Sequence, residues 1–160
     1  MDPEEDQAGD GIVSRWSELL DRLVAQKLAP GEQEPPHVHN LGLPYPSSWT
    51  PGRVTASWNV DPRFFHERGS LFGGFLAALS DHALAMVTMS VLEDGEVFNT
   101  SDLRTSFFRP VTEGELSIEA TVLHRGRSMI PAEVVFTRTD GKLVGKATAT
   151  QVIASEVRRS

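Results

Sequence analysis

The chain has 160 residues, a net charge of −7 and no cysteine. This length suits one domain that buries about two-thirds of its unfolded surface without disulfide bridges. The lack of cysteine excludes disulfides, thiolate nucleophiles and cysteine-rich metal sites, and it fits a cytoplasmic location. The negative charge argues against general nucleic-acid binding, because neutralising phosphates needs a basic face. No segment is typical of a membrane span or a secretory signal, so we expect neither.

The first 52 residues predict a leader, one helix and a connection. Residues 1–10 are acidic, and we expect them to form a disordered leader. Within residues 11–52, apolar side chains first recur at helical spacing, which predicts an amphipathic helix of about four turns. These apolar positions are Ile12, Trp16, Leu19, Leu20, Leu23 and Val24. Six prolines between Pro30 and Pro51 then predict an extended connection without regular helix or central strand.

Four side chains of this connection could bear on function. His37 and His39 are predicted to be surface residues and not a metal site, because no cysteine or partnering carboxylate accompanies them. Tyr45 and Trp49 could fold over a pocket as an apolar lid or could cover the core. The sequence leaves both possibilities open.

The remaining residues alternate in a pattern typical of a sheet with one long helix. Residues 53–60 alternate between apolar and polar side chains, which predicts a strand with one wet face. Residues 74–92 lack Pro, Lys, Arg and Glu and are apolar around the whole circumference, which predicts a buried helix. Four extended segments follow, roughly at residues 97–109, 115–125, 128–139 and 142–154. Turn residues separate them, and Asp140-Gly141 is the strongest hairpin signal.

This order of elements predicts an α+β domain over residues 53–155, followed by a tail at 156–160. A curved antiparallel β-sheet is expected to wrap around the long buried central helix, which is the hotdog fold, with the N-terminal helix as an addition. Such a sheet leaves an exposed edge, and the helix has a face of small residues. We therefore expect at least a dimer.

Asp81 is the lone carboxylate of the predicted central helix. Five of its six neighbours at helical spacing are small, the six being Gly74, Ala77, Ala78, Leu84, Ala85 and Thr88. Burying an ionised carboxylate costs several kcal/mol unless hydrogen bonds, solvent access or protonation offset it. Asp81 is thus either a structural residue, tied to backbone amides or to Arg104, or a functional group in a cleft, and the residues alone leave both open.

Two parts of the sequence resemble the PaaI-like hotdog thioesterases, the phenylacetate-degradation type that hydrolyses acyl-coenzyme A (acyl-CoA) thioesters. One is Gly-Ser-Leu-Phe-Gly-Gly-Phe-Leu-Ala-Ala-Leu-Ser-Asp at residues 69–81. The other is formed by His-Arg-Gly-Arg at 124–127 and the closing strands after it. The resemblance covers about residues 49–155. It implies an acyl-CoA thioesterase that needs no metal and no cofactor, acts on a coenzyme A or acyl-carrier-protein thioester, and forms a dimer or a homotetramer built as a dimer of dimers.

The resemblance also assigns catalytic roles by position. Gly73 becomes the helix N-terminal amide that polarises the thioester carbonyl, and Asp81 becomes the base or nucleophile. A helix N-terminus suits this role because it offers free N–H groups and a positive dipole end. Thr100 takes the position of a hydroxyl that orients the attacking water, and His66 that of a second donor near the carbonyl. Phe72 stands where the family has a histidine, and it cannot donate a hydrogen bond.

The remaining predicted site residues hold the substrate. Gly74, next to Gly73, lets the substrate approach the helix N-terminus closely. An acidic protein needs a local cationic patch for the phosphates of coenzyme A, and the turn at residues 125–128 can supply one. Its members are Arg125, Gly126, Arg127 and Ser128. The arginines offer forked donors that match phosphate geometry.

Two other functions remain open at this point. Asp61 and His66 are spaced as in the hydratase signature of another hotdog branch, which adds water to enoyl thioesters, although Arg63-Phe64 stands where that signature needs Asn-Pro. The second alternative is a non-catalytic module that binds acyl thioesters, with a site weakened by Phe72. Assays with saturated and enoyl-CoA thioesters would separate all three functions.

Overall fold

A computed structural model describes residues 13–156. The predicted leader at residues 1–10 and most of the predicted tail lie outside the described residues. The helices are α1 (Arg15–Val24), α2 (Pro36–Leu41) and α3 (Gly73–Met89), with a 3-10 turn at Pro62–Phe64. The strands are β1 (Pro46–Thr50), β2 (Arg53–Asn59), β3 (Glu96–Phe107), β4 (Glu115–Val122), β5 (Met129–Arg138) and β6 (Leu143–Ser155).

The six strands form one antiparallel sheet in the order β1-β2-β4-β5-β6-β3. Helix α3 contacts every strand from β2 to β6, so the sheet curves around it. The predicted α+β class and hotdog arrangement are confirmed. The two edges of the sheet are the short β1 and the 12-residue β3. A long edge strand presents unpaired N–H and C=O groups that another strand can bind.

Helix α3 is buried on one side only. On the side that faces the sheet, Leu79, Leu84 and Val87 are at most 1% exposed and belong to the main apolar core. On the opposite side, Gly74 and Asp81 are exposed, and the alanines around them are partly exposed. The helix itself is confirmed, and its open side is the face of small residues that the sequence indicated, although the apolar composition predicted burial around the whole circumference.

The proline-rich connection is more regular than predicted. The expectation of a connection without regular helix is wrong, because residues 36–41 form α2. Pro36 is the first residue of that helix, where a missing N–H costs nothing, and Gly42 ends it with a left-handed φ of 59°. Pro46 begins β1, which is an edge strand and therefore tolerates proline at that position.

Helix α1 closes part of the open side of α3. Ser14 and Ser17 form a capping box at its start, and Leu20 is fully buried beneath it. The indole of Trp16 donates to the Glu96 carbonyl at the start of β3 (3.0 Å). The indole of Trp49 on β1 donates to a carboxylate of α1 (2.8 Å). The N-terminal helix thus spans from one edge of the sheet to the other. None of the helices within residues 13–156 is long and apolar enough to cross a membrane.

Candidate active site

The carboxylate of Asp81 lies on the open side of α3, beside the edge strand β3. Thr100 of β3 donates its hydroxyl proton to Asp81 Oδ1 at 2.8 Å. Solvent access and this hydrogen bond are the means by which the helix tolerates a charged group among apolar neighbours. The bond that Asp81 forms is therefore to Thr100, a predicted site residue, and not to Arg104, the candidate partner in a structural role.

A third residue, Gln151 of β6, joins this pair and was missed in the sequence. The register of β3 and β6 places Gln151 opposite Thr100, and its side chain is fully buried. Its Oε1 lies 3.0 Å from Thr100 Oγ1, while its Nε2 has no partner among the described residues. A hydroxyl has one proton, so Thr100 cannot donate to both neighbours. With the amide rotated by 180°, Nε2 donates to Thr100 Oγ1 and Thr100 donates to Asp81.

The N-terminus of α3 presents amides that its own cap does not occupy. Phe72 is the N-cap residue, and its side chain forms no capping hydrogen bond. Gly73 and Gly74 occupy the first turn, where N–H groups have no partner within the helix. A Cβ at Gly73 would lie 3.2 Å from the Phe107 ring, and one at Gly74 would collide with the Phe72 ring. Phe72 is 57% exposed, and its aromatic ring lies against Gly74.

His66 lies at the same end of α3 but is held by its own loop. Its Nδ1 accepts the backbone N–H of Arg68 (3.0 Å), which places the proton of the neutral ring on Nε2, 2.8 Å from Ser70 Oγ. His66 and Gly73 line one cavity of about 440 Å³, which we call the Gly73 cavity. Arg68 and Arg109 also line it, so a cationic surface adjoins the helix N-terminus.

The turn between β4 and β5 lies at the opposite end of α3. Arg125 donates to both oxygens of the Glu96 carboxylate (2.6 and 2.7 Å) and to the Val91 carbonyl (3.0 Å). Gly126 has no room for a side chain, since a Cβ would lie 2.6 Å from a backbone carbonyl oxygen. Arg127 and Ser128 are exposed, and Arg127 lines a cavity of about 580 Å³. Both arginines line this cavity, and of the two, Arg127 is the exposed one and has no ion pair within residues 13–156.

Two other features considered in the sequence are engaged elsewhere. Asp61 caps the 3-10 turn, accepting from the backbone N–H (2.9 Å) and Nε (2.8 Å) of Arg63, and this ion pair lowers the pKa of Asp61. His39 lies 3.2 Å from the carboxylate of Glu34. Across residues 13–156, no three His, Asp or Glu side chains lie close enough together to hold a metal ion.

Gly73 and Asp81 cannot meet on one thioester within a single protomer. They are eight residues apart on one helix, which at 1.5 Å per residue separates them by about 12 Å along the axis. Reacting atoms must come within about 3–3.5 Å of one another. A site that used both residues would therefore have to form between two chains.

Comparison with known proteins identifies the family. Residues 68–145 match the family model of the thioesterase superfamily. The proofreading thioesterase EntH of Klebsiella pneumoniae is 30% identical over 105 residues, which are 66% of this chain and 76% of that protein. A phenylacetic acid degradation-related protein of Ralstonia eutropha is 29% identical with a TM-score of 0.72, and the match covers 83% of this chain and 98% of that one.

A structure from Streptococcus mutans shares the fold and is bound to acetyl-CoA. It is 23% identical with a TM-score of 0.66, and the match covers 71% of this chain and 90% of that one. The fold and the relatives together define a class, the thioester hydrolases with a hotdog fold. This chain belongs to the thioesterase superfamily. The predicted resemblance to PaaI-like thioesterases is confirmed.

Proposed function

We propose that this chain is an acyl-CoA thioesterase whose active site forms between two copies. In each site, Asp81 and Thr100 come from one protomer and the α3 N-terminal amide comes from Gly73 of the partner subunit. The observation that carries the proposal is the Asp81–Thr100 pair on the open side of α3, about 12 Å along the helix from the amide it must work with.

The edge strand β3 supports a paired assembly. Thr100 lies on this strand, and residues 99–102 are exposed together. A second β3 pairing along this edge would satisfy its unpaired backbone groups and bring a second α3 to the open side of the first. The small residues Gly74, Ala77 and Ala78 leave room for that approach. We expect a dimer, or a homotetramer built as a dimer of dimers, located in the cytoplasm.

The proposed chemistry uses groups that the site holds. Asp81 takes a proton from a water molecule, and the resulting hydroxide adds to the thioester carbonyl carbon. The N–H of Gly73 of the partner subunit stabilises the oxyanion. The C–S bond then breaks, the thiolate takes the proton back from Asp81, and the products are a carboxylic acid and a free thiol. In the alternative route, Asp81 attacks the carbonyl carbon itself and the C–S bond breaks to release the thiolate, which leaves an anhydride that water then hydrolyses. Thr100 holds Asp81 in position for either route.

The choice of coenzyme A rests on the cationic surfaces. Arg127 lies at one end of α3, and Arg68 and Arg109 lie at the other. Arginine is well suited to bind the phosphates of coenzyme A despite the negative net charge. The acetyl-CoA held by the Streptococcus mutans protein supports the same assignment at the level of the fold. An acyl-carrier-protein thioester, which shares the phosphopantetheine arm, is the alternative substrate.

The two other functions considered for the sequence have weaker support. The hydratase hypothesis needs Asp61, and this carboxylate is engaged with Arg63 in its own turn. The non-catalytic hypothesis rests on Phe72, which replaces one donor but leaves the amide of Gly73 and the Asp81–Thr100 pair in place.

The test is thiol release from purified protein with saturated acyl-CoA thioesters, run beside enoyl absorbance with enoyl-CoA. The wild type is expected to release thiol. Asp81→Asn is expected to lower kcat about 10²–10⁴-fold, because the amide has nearly the same shape but is not a base. Asp21→Asn is the matched control, since an amide oxygen can still accept from Trp49. Full activity in Asp81→Asn would contradict the assignment, and loss of enoyl absorbance without thiol release would favour the hydratase.

A further inference from the structure

A largely apolar cavity of about 200 Å³ lies between the N-terminal segment and α3, and we call it the N-terminal cavity. Its walls include apolar side chains from three helices: Leu19 and Leu23 of α1, Val38 of α2, and Ala85, Met86 and Met89 of α3. All the residues that roof it lie before residue 46, outside residues 68–145 that the family model matches. The family match therefore does not account for it.

The cavity begins one helical turn beyond the candidate catalytic carboxylate. Ala85 follows Asp81 by four residues, so their Cβ atoms lie about 5–6 Å apart on the same face of α3. Met89 lies one further turn along that face, beneath α1. An acyl group whose carbonyl carbon is next to Asp81 would reach Ala85 with its first few carbons. The cavity is thus where an acyl tail can go.

The main polar side chains of the cavity are already engaged. His82 lies 2.9 Å from the Pro44 carbonyl through Nε2, and burial lowers its pKa, so the ring is neutral. The Tyr45 hydroxyl donates to Glu34, and burial together with this bond raises the pKa of Tyr45 to about 12. Neither of these groups offers a charge to a ligand. Glu32, which also lines the cavity, is paired with Arg22 (3.1 Å), and His37, the remaining polar residue of the lining, is exposed. The lining therefore suits an uncharged apolar group better than a polar one.

The volume limits the size of that group. A cavity of about 150 Å³ lined by apolar side chains is large enough to bind benzene. About 200 Å³ therefore holds one ring, or a straight chain of roughly six carbons, and is too small for a chain of 16 carbons. We infer that the N-terminal cavity is the acyl subsite and selects medium-chain or single-ring acyl groups, an inference that rests on the proposed thioesterase function.

Two measurements test the subsite, one of binding and one of turnover. Isothermal titration with S-ethyl-, S-hexyl- and S-hexadecyl-CoA, thioethers that cannot be hydrolysed, gives affinity against chain length. Thiol release from acetyl-, hexanoyl- and hexadecanoyl-CoA gives kcat/KM against chain length. Each buried methylene is worth roughly three- to fourfold, so S-hexyl-CoA should bind about 100-fold more tightly than S-ethyl-CoA. S-hexadecyl-CoA should gain nothing beyond that.

Three variants locate the effect. Ala85→Leu fills the cavity from its floor and should lower the hexanoyl-to-acetyl ratio of kcat/KM, and the matching ratio of affinities, by about tenfold. Leu23→Ala enlarges the cavity from the roof and should move the preferred chain length upward. Ala25→Leu is the matched control, because it is the same change of residue type at an exposed position after α1. It should leave the wild-type dependence of kcat/KM on chain length unchanged.

The outcomes separate this inference from the proposed function. Thiol release with the same chain-length profile in wild type, Ala85→Leu and Leu23→Ala would overturn the subsite and leave the thioesterase function standing. Length-dependent thioether binding that Ala85→Leu abolishes, without any thiol release, would support the subsite and overturn catalysis. An affinity that keeps rising from S-hexyl-CoA to S-hexadecyl-CoA would also overturn the subsite, because the cavity is too small to hold the longer chain.

Discussion

The two sides of α3 differ in what their residues do. The side that faces the sheet holds large apolar residues such as Leu79 and Leu84, which are at most 1% exposed and form part of the main core. The opposite side holds glycine, alanine and the exposed Asp81, and within the protomer Asp81 bonds to the edge strand through Thr100. One side therefore contributes burial, and the other carries the proposed reactive group and the small residues that would leave room for a partner. Stability and catalysis should respond separately to changes on the two sides.

Leu84→Ala tests the sheet side and should have the largest effect on stability. Removing a fully buried leucine costs the transfer free energy and leaves a cavity, which together lower the free energy of unfolding by about 2–5 kcal/mol. Asp81→Asn, on the open side, should change it by less than about 0.5 kcal/mol. Urea unfolding at one fixed protein concentration measures both, since assembly adds to apparent stability. Equal losses of unfolding free energy in the two variants would show that the two sides of α3 contribute equally to stability.

Gly73→Pro removes the proposed oxyanion donor without removing the helix. Proline is favoured at the first helical residue, and Phe72 already has a ψ of 130°, which suits the residue before proline. Loss of one such N–H should lower kcat about 10²–10³-fold. Gly73→Ala is the matched control, because it keeps the N–H and adds the same Cβ beside the exposed Phe107 ring. A similar loss of kcat in both variants would show that shape, and not the amide, matters there.

Arg127→Ala should raise KM for acyl-CoA several-fold with little change in kcat, and the rise should be steepest at low salt. These contacts would hold substrate and transition state equally. Arg125→Ala should lower stability instead, because Arg125 ties Glu96 and the end of α3 to the turn. If KM responds to Arg68→Ala or Arg109→Ala and not to Arg127→Ala, the phosphates bind at the Gly73 cavity.

The smallest effect concerns pH and His82. Burial lowers the pKa of His82 in the folded state, so below about pH 6.5 the unfolded state binds more protons. The free energy of unfolding should therefore fall as the pH drops from 7.5 towards 5. In His82→Gln the amide can still donate to the Pro44 carbonyl but does not titrate, so part of that slope should disappear. Identical slopes of the free energy of unfolding against pH in the two proteins would show that folding does not lower the pKa of His82.

Most of the fold could be predicted because its signals are local. Apolar alternation predicts β2 and β4, and Asp140-Gly141 predicts the hairpin between β5 and β6, where Gly141 has a φ of 78°. Helix α2 was missed because a run of prolines usually excludes helix. Proline is tolerated at the first residue of a helix, but the sequence alone did not show that Pro36 occupies that position. The density of prolines therefore led to a prediction of no helix in this segment.

The site was only partly predictable because its contacts join distant residues. Asp81 was singled out as the lone carboxylate of the helix, and Gly73 and Thr100 were proposed through a resemblance to a family. Gln151 was not, since its place beside Thr100 follows from the register of β3 on β6, which no local pattern encodes. Similarly, Arg125 looked free in the sequence, but its partner Glu96 is 29 residues away. Both contacts depend on which distant segments lie side by side in the fold, and the local sequence does not reveal that.

The central claim is that one active site takes Asp81 from one protomer and Gly73 from the other, and mixed dimers test it directly. Asp81→Asn and Gly73→Pro are each expected to be nearly inactive alone. After the two are unfolded together and refolded at equal amounts, half of the dimers contain one chain of each kind, and one of their two sites is intact. The mixture should therefore recover about a quarter of wild-type kcat. Activity no higher than the mean of the two single variants would show that each site lies within one chain.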